Sequence, residues 1–323
     1  MKALAVFSGG LDSMLAAELI RSQGIDVLGL FFETPFFTST RARRSAEVIR
    51  LPLKVIDLTE PHLEVVRNPR HGYGENMNPC IDCHALMLRE AGDRLTGEGA
   101  DFIITGEVLG QRPMSQNLRA LSTVASWSGY QGLVLRPLSA KLLLPTVPEE
   151  KGWVDRDTLM GFSGRSRKPQ MELARTFHIT EYPSPAGGCL LTDPIFSRRL
   201  RDLLSSTPRC DVREIELLKV GRHFRFGQKT KAVVGRNKKE NEEILSLAGE
   251  MDLVIKVDSV PGPVVLVLGE ISPEFEVMAV ALALSYSDAG DGEVAEVKLL
   301  EAGSERRESG SARPKSEFRP FMI

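Results

Sequence analysis

The sequence predicts an α/β protein: a parallel sheet covered by helices on both faces, followed by a small α+β domain. Three observations carry this. Short apolar runs alternate with amphipathic stretches through the first half, as in sheets joined by helical crossovers. A glycine-rich turn separates the first apolar run from the first amphipathic stretch. The chain has 323 residues, about twice a usual domain, and its pattern changes around residues 165–191.

Taken in order, residues Ala3–Phe7 form a strand, a glycine turn follows, and Ser13 to about Gln23 is a helix that Gly24 stops. Asp26–Phe32 is a second strand, Arg41–Ile49 a helix, and Leu53–Leu58 a third strand. A helix over Ala85–Leu95 precedes a fourth strand, Phe102–Thr105, and Leu133–Leu135 is the fifth. Ligands of such sheets bind beyond the carboxyl ends of the strands, so the residues after Phe7, Phe32 and Ile104 are expected to share a crevice. The first domain is placed at 1–195 and a linker at 196–210. A smaller unit over 211–286 has strands at Ala232–Val234, Leu253–Val257 and Val264–Leu268. Residues 287–323, rich in Gly, Ser, Glu and Arg, read as a polar tail of the kind that is often mobile.

Composition excludes several classes. With 42% hydrophobic and 26% charged residues the profile is globular, not collagenous, low-complexity or coiled-coil. No apolar run approaches the ~18–20 residues of a membrane span, and no export signal is visible, so a cytoplasmic location without membrane partners is expected. Four cysteines are too few for a disulfide scaffold at this length and suit metal or sulfur chemistry.

Ser8-Gly9-Gly10-Leu11-Asp12-Ser13 follows a strand and opens a helix. Glycines there let main-chain N–H groups approach a phosphate, and the helix terminus adds its positive end. No G-K-[ST] follows, so this is not a Walker loop. The stretch resembles the S-G-G-x-D-S loop of the PP-loop ATP pyrophosphatase superfamily. That resemblance implies the adenine nucleotide alpha hydrolase-like fold and transfer of AMP from ATP to a substrate oxygen. It implies that Ser8, Gly9, Gly10, Asp12 and Ser13 hold the pyrophosphate end of ATP, with Asp12 orienting the loop or placing Mg²⁺. Phe32, Thr105 and Gly106, at strand ends, are expected around the same nucleotide.

Asn78-Pro79-Cys80-Ile81-Asp82-Cys83-His84 places a C-x-x-C at a helix start, where thiol pKa values tend to fall. Alone it fits zinc, a redox dithiol or iron–sulfur, and His84 is a further potential ligand. Cys189, in Ser184-Pro185-Ala186-Gly187-Gly188-Cys189, is the natural third thiol, and Cys210 reads as structural. N-P-C-x-x-C resembles the tRNA 2-thiouridylase pattern, and Thr105-Gly106-Glu107-Val108-Leu109-Gly110-Gln111 is similar to the T-G-E-x-L-G-Q motif of the 4-thiouridine synthetase (ThiI) family. These resemblances imply ATP-dependent thiolation of a tRNA uridine, with sulfur supplied by a cysteine desulfurase, a sulfur carrier or inorganic sulfide; a PP-loop ligase acting on a small-molecule substrate and a non-catalytic nucleotide-dependent RNA-binding factor are the alternatives. Two options stay open for Cys80, Cys83 and Cys189. They hold a 4Fe-4S cluster, as in one branch of the tRNA thiolases, or Cys83 carries a persulfide that Cys189 resolves.

Between Arg198 and Lys239 thirteen Lys/Arg meet only four acids, the local excess expected of a nucleic-acid contact. Val233-Val234-Gly235-Arg236-Asn237, followed by Asn241, resembles the V-G-R-N-x-x-x-N motif of the NFACT-type RNA-binding domain. Arg222, Arg225, Arg236, Asn237 and Lys238, with Arg165, Arg167 and Lys168 of the first domain, are the expected RNA contacts. Gln111 and Arg112 are expected to touch ATP phosphate or the target nucleotide, and Trp127 and Trp153 to be core aromatics.

Overall fold

A computed structural model describes residues 1–184 and 189–323, which divide into two compact units, Met1–Thr192 and Asp193–Ile323.

The first unit is an α/β layer structure. Its strands are β1 (Lys2–Val6), β2 (Asp26–Glu33), β3 (Leu53–Asp57), β4 (Phe102–Thr105) and β5 (Val134–Leu135). They form one parallel sheet in the order β3-β2-β1-β4-β5. Its helices are α1 (Leu11–Arg21), α2 (Thr40–Val48), α3 (Thr59–Arg67), α4 (Cys80–Asp93), α5 (Leu95–Glu98), α6 (Leu118–Ser128), α7 (Val147–Glu150) and α8 (Lys168–Thr176). On one face Ala3, Ala5 and Ile104 pack against Met14 and Leu15 of α1 and Ala174 of α8. On the other, Leu4, Leu30 and Ile103 meet Leu88 and Ala91 of α4 and Val124 of α6. Burial on both faces explains why the strands are continuous apolar runs rather than alternating ones.

The second unit is an α+β domain. Helices α9 (Pro194–Ser206) and α10 (Val212–Leu217) lead into β6 (Arg222–Arg225), β7 (Lys231–Val234), α11 (Lys238–Ser246), β8 (Leu253–Val257), β9 (Val264–Leu268), α12 (Pro273–Ser285), β10 (Val294–Glu301) and β11 (Ser304–Ser311). A 3₁₀ stretch, Lys315–Phe321, follows. The antiparallel sheet runs β11-β10-β8-β9-β7-β6. Helix α12 covers it, with Ala279–Leu284 buried against Val265, Val267 and Val297.

Two sequence expectations change. The segment 196–210, expected as a linker, is mostly helix α9. Asp193 caps it by accepting from the Phe196 N–H at 2.7 Å, and Phe196, Leu200 and Leu203 bury its inner face. The expected tail 287–323 is instead the β10–β11 hairpin and the 3₁₀ stretch, which place Val297, Leu299 and Phe318 in the core. Strand β11 (SERRESGS) lies at the sheet edge, where main-chain pairing needs no apolar side chains, so composition alone hides it. Among the described residues no helix is long and apolar enough to cross a membrane.

Candidate functional site

The glycine loop connects β1 to α1. Gly9 takes φ +72°, and a Cβ on it would stand 2.6 Å from the Ala42 Cα, so only glycine lets α2 close over the loop. Ser45 of α2 donates to the Gly9 carbonyl at 2.8 Å. Gly10 is the extended residue before α1, its N–H directed to Ser8 Oγ at 3.3 Å, while Ser13 Oγ donates to the Gly10 carbonyl at 2.8 Å. Arg41 Nη2 lies 4.0 Å from where a Gly10 side chain would begin.

Asp12 accepts from Gln111 Nε2 at 3.1 Å through one oxygen; the other, Oδ1, is buried without a hydrogen-bond partner. Burial raises its pKa, against the opposing pull of Gln111, Arg167, Arg112 and Gln170. The orphaned oxygen beside the glycine loop is of the carboxylate kind that binds Mg²⁺ alongside phosphate oxygens. Arg167, expected at RNA, lies within electrostatic reach of this loop, whereas Arg165 and Lys168 are exposed. Phe32 is 2% exposed in the sheet core, so its side chain packs rather than lining a nucleotide site.

The segment after β4 ties the loop to the thiols. A Cβ on Gly106 would meet Ser13 N at 2.5 Å and the Asp12 carbonyl carbon at 2.6 Å, so the two chains touch backbone to backbone. Thr105 Oγ1 donates to Glu107 Oε2 at 3.2 Å. Glu107 also accepts from Arg136 Nε at 2.8 Å and lies 3.0 Å from His84 Nδ1. Burial opposes its ionisation, yet Arg136 and His84 outweigh burial and bring its pKa to about 2.

Cys80 opens α4, its Sγ accepting from Asn78 Nδ2 at 3.3 Å. Cys83 Sγ stands 3.2 Å from His62 Nε2 of α3. His62 is fully buried between Phe36 and Phe37, and burial lowers its pKa to about 4. A neutral imidazole there can accept a hydrogen bond from the thiol, but is too weak a base to take its proton. Cys83 retains some exposure, but the protein atoms crowding it raise its pKa well above the usual thiol value, helped by Cys189, Cys80 and Asp82. Cys189 is pushed up to about 11, chiefly by burial. The helix start therefore does not yield the thiolate expected from sequence: desolvation prevails.

The three thiols lie within electrostatic reach of one another. Among the described residues, however, no three Cys, His, Asp or Glu side chains stand close enough to hold a metal ion. That spacing concerns a single ion and not the expected 4Fe-4S cluster, whose cysteines bind different irons, and no step below passes through one. The Pro185–Gly188 approach to Cys189 lies outside the described residues. Cys210 is buried in the second unit. Trp153 is half-buried beside Phe102, but Trp127, expected in the core, is 37% exposed with the Arg70 guanidinium 3.7 Å over its ring.

Most expected RNA contacts of the second unit have partners within it. Arg225 is paired with Asp202 at 2.6 Å. Arg236 is paired with Glu240 at 2.5 Å, and Asn237 caps α11 by accepting from the Glu240 N–H at 3.0 Å. Asn241 Oδ1 accepts from Val264 N at 3.1 Å and lies so close to Gly235 that no side chain fits there. The V-G-R-N motif thus builds the turn between β7 and α11. Lys238 stays exposed, and Arg222 lies 5.1 Å from the Tyr286 ring. Phe224 and Phe226 are core residues. Sequence reasoning missed His62, Gln170 and Arg136, whose roles arise only from tertiary packing.

Comparison with known proteins fits this geometry. Residues 1–141 match the family of the thiamine biosynthesis protein (ThiI), and residues 221–319 match the NFACT protein RNA binding domain. The chain is similar to the tRNA-specific 2-thiouridylase MnmA of Methylobacterium nodulans, 29% identical over 37% of this chain and 36% of that protein. The enzymes of the same name from Syntrophomonas wolfei and Sulfurimonas denitrificans are each 33% identical, over 33% of this chain and 33% and 35% of theirs. The matched part spans about a third of the length of these relatives. A solved predicted subunit of tRNA methyltransferase from Methanocaldococcus jannaschii aligns over 54% of this chain and 76% of its own, at 18% identity and a TM-score of 0.36, too low to add to the fold assignment. Residues 1–141 are thus similar to the ThiI family, and residues 221–319 to the NFACT protein RNA binding domain.

Proposed function

We propose that the protein is an ATP-dependent tRNA sulfurtransferase that replaces a uridine carbonyl oxygen with sulfur. One observation carries the reading: Thr105–Glu107 packs Gly106 onto Asp12–Ser13 of the glycine loop and holds, through Glu107, the histidine that follows Cys83. A single short segment thus couples a phosphate-binding loop to a thiol.

The chemistry follows from the parts. The N–H groups of the loop, with Arg41, Arg112 and Arg167 around it, neutralise the triphosphate of ATP. Asp12 Oδ1 would hold Mg²⁺, which supplies charge neutralisation of the leaving pyrophosphate. The uridine oxygen attacks the α-phosphorus, pyrophosphate departs, and the carbon becomes open to displacement of AMP. Sulfane sulfur passes from a persulfide on a desulfurase or a carrier to Cys83, the donor leaving as its thiol; the terminal sulfur of the Cys83 persulfide then attacks that carbon and AMP leaves. Cys189 then attacks Cys83 Sγ, releasing the thionucleoside and forming a Cys83–Cys189 disulfide that a cellular thiol reduces. The uridine has to leave its stack to reach the crevice.

The test is incubation of the full chain with ATP, unmodified tRNA and a persulfide donor. Pyrophosphate and a thionucleoside are expected in equal amounts, with Cys83→Ser stopping the second but not the first. Pyrophosphate without any thionucleoside, or no tRNA-dependent pyrophosphate, would defeat the reading. Nucleoside analysis of tRNA from cells lacking the gene names the position.

A further inference from the structure

The second unit contains a cavity of about 470 Å³ lined by Arg198, Tyr286, Lys315, Arg319, Met322 and Ile323. Its size falls in the ~300–1,000 Å³ range of ligand pockets, large enough for one nucleotide and too small for a duplex. Among the described residues no acidic side chain lines it. A fourth cation, Arg222, lies over the Tyr286 ring at 5.1 Å, and Lys315 at 5.4 Å.

Many cations elsewhere in the unit are neutralised. Arg225, Arg236, Lys229, Lys298, Arg306 and Arg307 each have a carboxylate partner. Among the described residues, Arg198, Arg222, Lys315 and Arg319 have none within ion-pair distance. Three cations lining one concavity, with Arg222 beside its tyrosine, favour entry of an anion. The walls are firm: Phe318 is 2% exposed, Phe321 packs on Phe226 at 5.7 Å, and Phe224 and Met322 form a β-bridge. The 3₁₀ stretch thus buries Phe318, packs a partly buried Phe321 against the core and leaves Lys315 and Arg319 at the surface.

We propose that this cavity binds one unpaired nucleotide of an RNA strand, its phosphates on Arg198, Lys315 and Arg319 and its base or ribose against Tyr286. The inference rests on reading this unit as the RNA-binding part of the protein, and it replaces the β7–α11 turn as the contact. Phosphate recognition by several cations beside an aromatic ring is how sequence-tolerant single-strand sites are built.

The full chain is tested for binding to a tRNA transcript, to an unstructured ten-nucleotide RNA and to a fully paired RNA duplex, each over a range of salt. The combined variant Arg198→Ala, Lys315→Ala, Arg319→Ala is expected to lose about tenfold or more in affinity for tRNA and for the single strand. Its log K against log salt slope should flatten by about two. Tyr286→Leu is expected to weaken the single strand about fivefold with an unchanged slope. Lys229→Ala with Arg307→Ala, exposed cations elsewhere in the unit, should bind like the parent. The proposal is overturned if the combined variant, folded by circular dichroism, binds single strands as the parent does. It is overturned equally if duplex and single strand are held alike, or if the variant loses only binding to anionic vesicles or acidic peptides. Failure of the thiolation reading looks different: the parent then shows no tRNA-dependent pyrophosphate, while RNA binding still depends on these four side chains.

Discussion

Gly106 shows how one hydrogen in place of a methyl group can hold a site together. Its neighbours, Asp12 and Ser13, present backbone atoms, which cannot swing aside as a side-chain tip can. Gly106→Ala is therefore expected to cost about 1–3 kcal/mol of stability and to push the two segments apart. A displacement of that kind lowers rates by about 100-fold, so pyrophosphate release at saturating ATP should fall by that order. Gly97→Ala is the control: nothing stands within 4 Å of its would-be Cβ, it lies in α5, and helix propensity favours alanine. Equal activity of the Gly106→Ala variant and the parent would mean that the loop does not need this contact. The Glu107 cluster was half legible in the sequence. Glu107 sits in a motif, but its partners His84 and Arg136 stand 23 and 29 residues away and are brought to it by β4, α4 and the turn after β5. His62 had no sequence signal, because a histidine inside a helix acquires meaning only when α3 packs beside α4.

Elements were legible where burial wrote a pattern. The parallel strands of the first unit are continuous apolar runs because both faces are covered, and β8 and β9 stand out for the same reason. Helix α9 was obscured by its arginines, although Phe196, Leu200 and Leu203 already mark a helical stripe. Strand β7 poses a different problem: all four residues are buried, including Lys231 at 4% exposure, 3.9 Å from Asp202. Burial lowers the Lys231 pKa to about 8, with Asp202 opposing and Arg225 and Arg199 reinforcing the shift. Between that value and the ordinary 10.5 the unfolded chain binds the extra proton, so stability rises with pH across this window. Below pH 8 the cost of the buried charge is fully present. Lys231→Met should then equal or exceed the parent at pH 7 and lose that advantage by on the order of 2 kcal/mol as pH approaches 10.5. Both tryptophans lie in the first unit, so their emission isolates it. The relevant transition is the ellipticity change in urea that leaves tryptophan emission unmoved. A difference between parent and variant that is flat in pH would show that Lys231 is not strained by burial.

At the scale of the whole molecule, two kinds of electrostatics divide between the two units. The glycine loop offers main-chain N–H groups and a buried carboxylate oxygen, partly screened from salt by the surrounding protein. The second unit offers exposed cations without partners, whose hold on a polyanion depends on counterion release. The two substrates of the proposed reaction should therefore respond to salt unequally. Three or four phosphate contacts to a single strand give a slope of about −2 to −3, so raising salt from about 50 to 200 mM should raise the KM for tRNA about 30-fold. The KM for ATP should change by no more than about threefold. Steady-state pyrophosphate release, with each substrate varied in turn against saturating amounts of the other, measures both. Parallel rises in the two constants would mean that ATP and RNA depend on the same exposed charge. Recruitment by one unit and chemistry in the other would then no longer describe how this chain works.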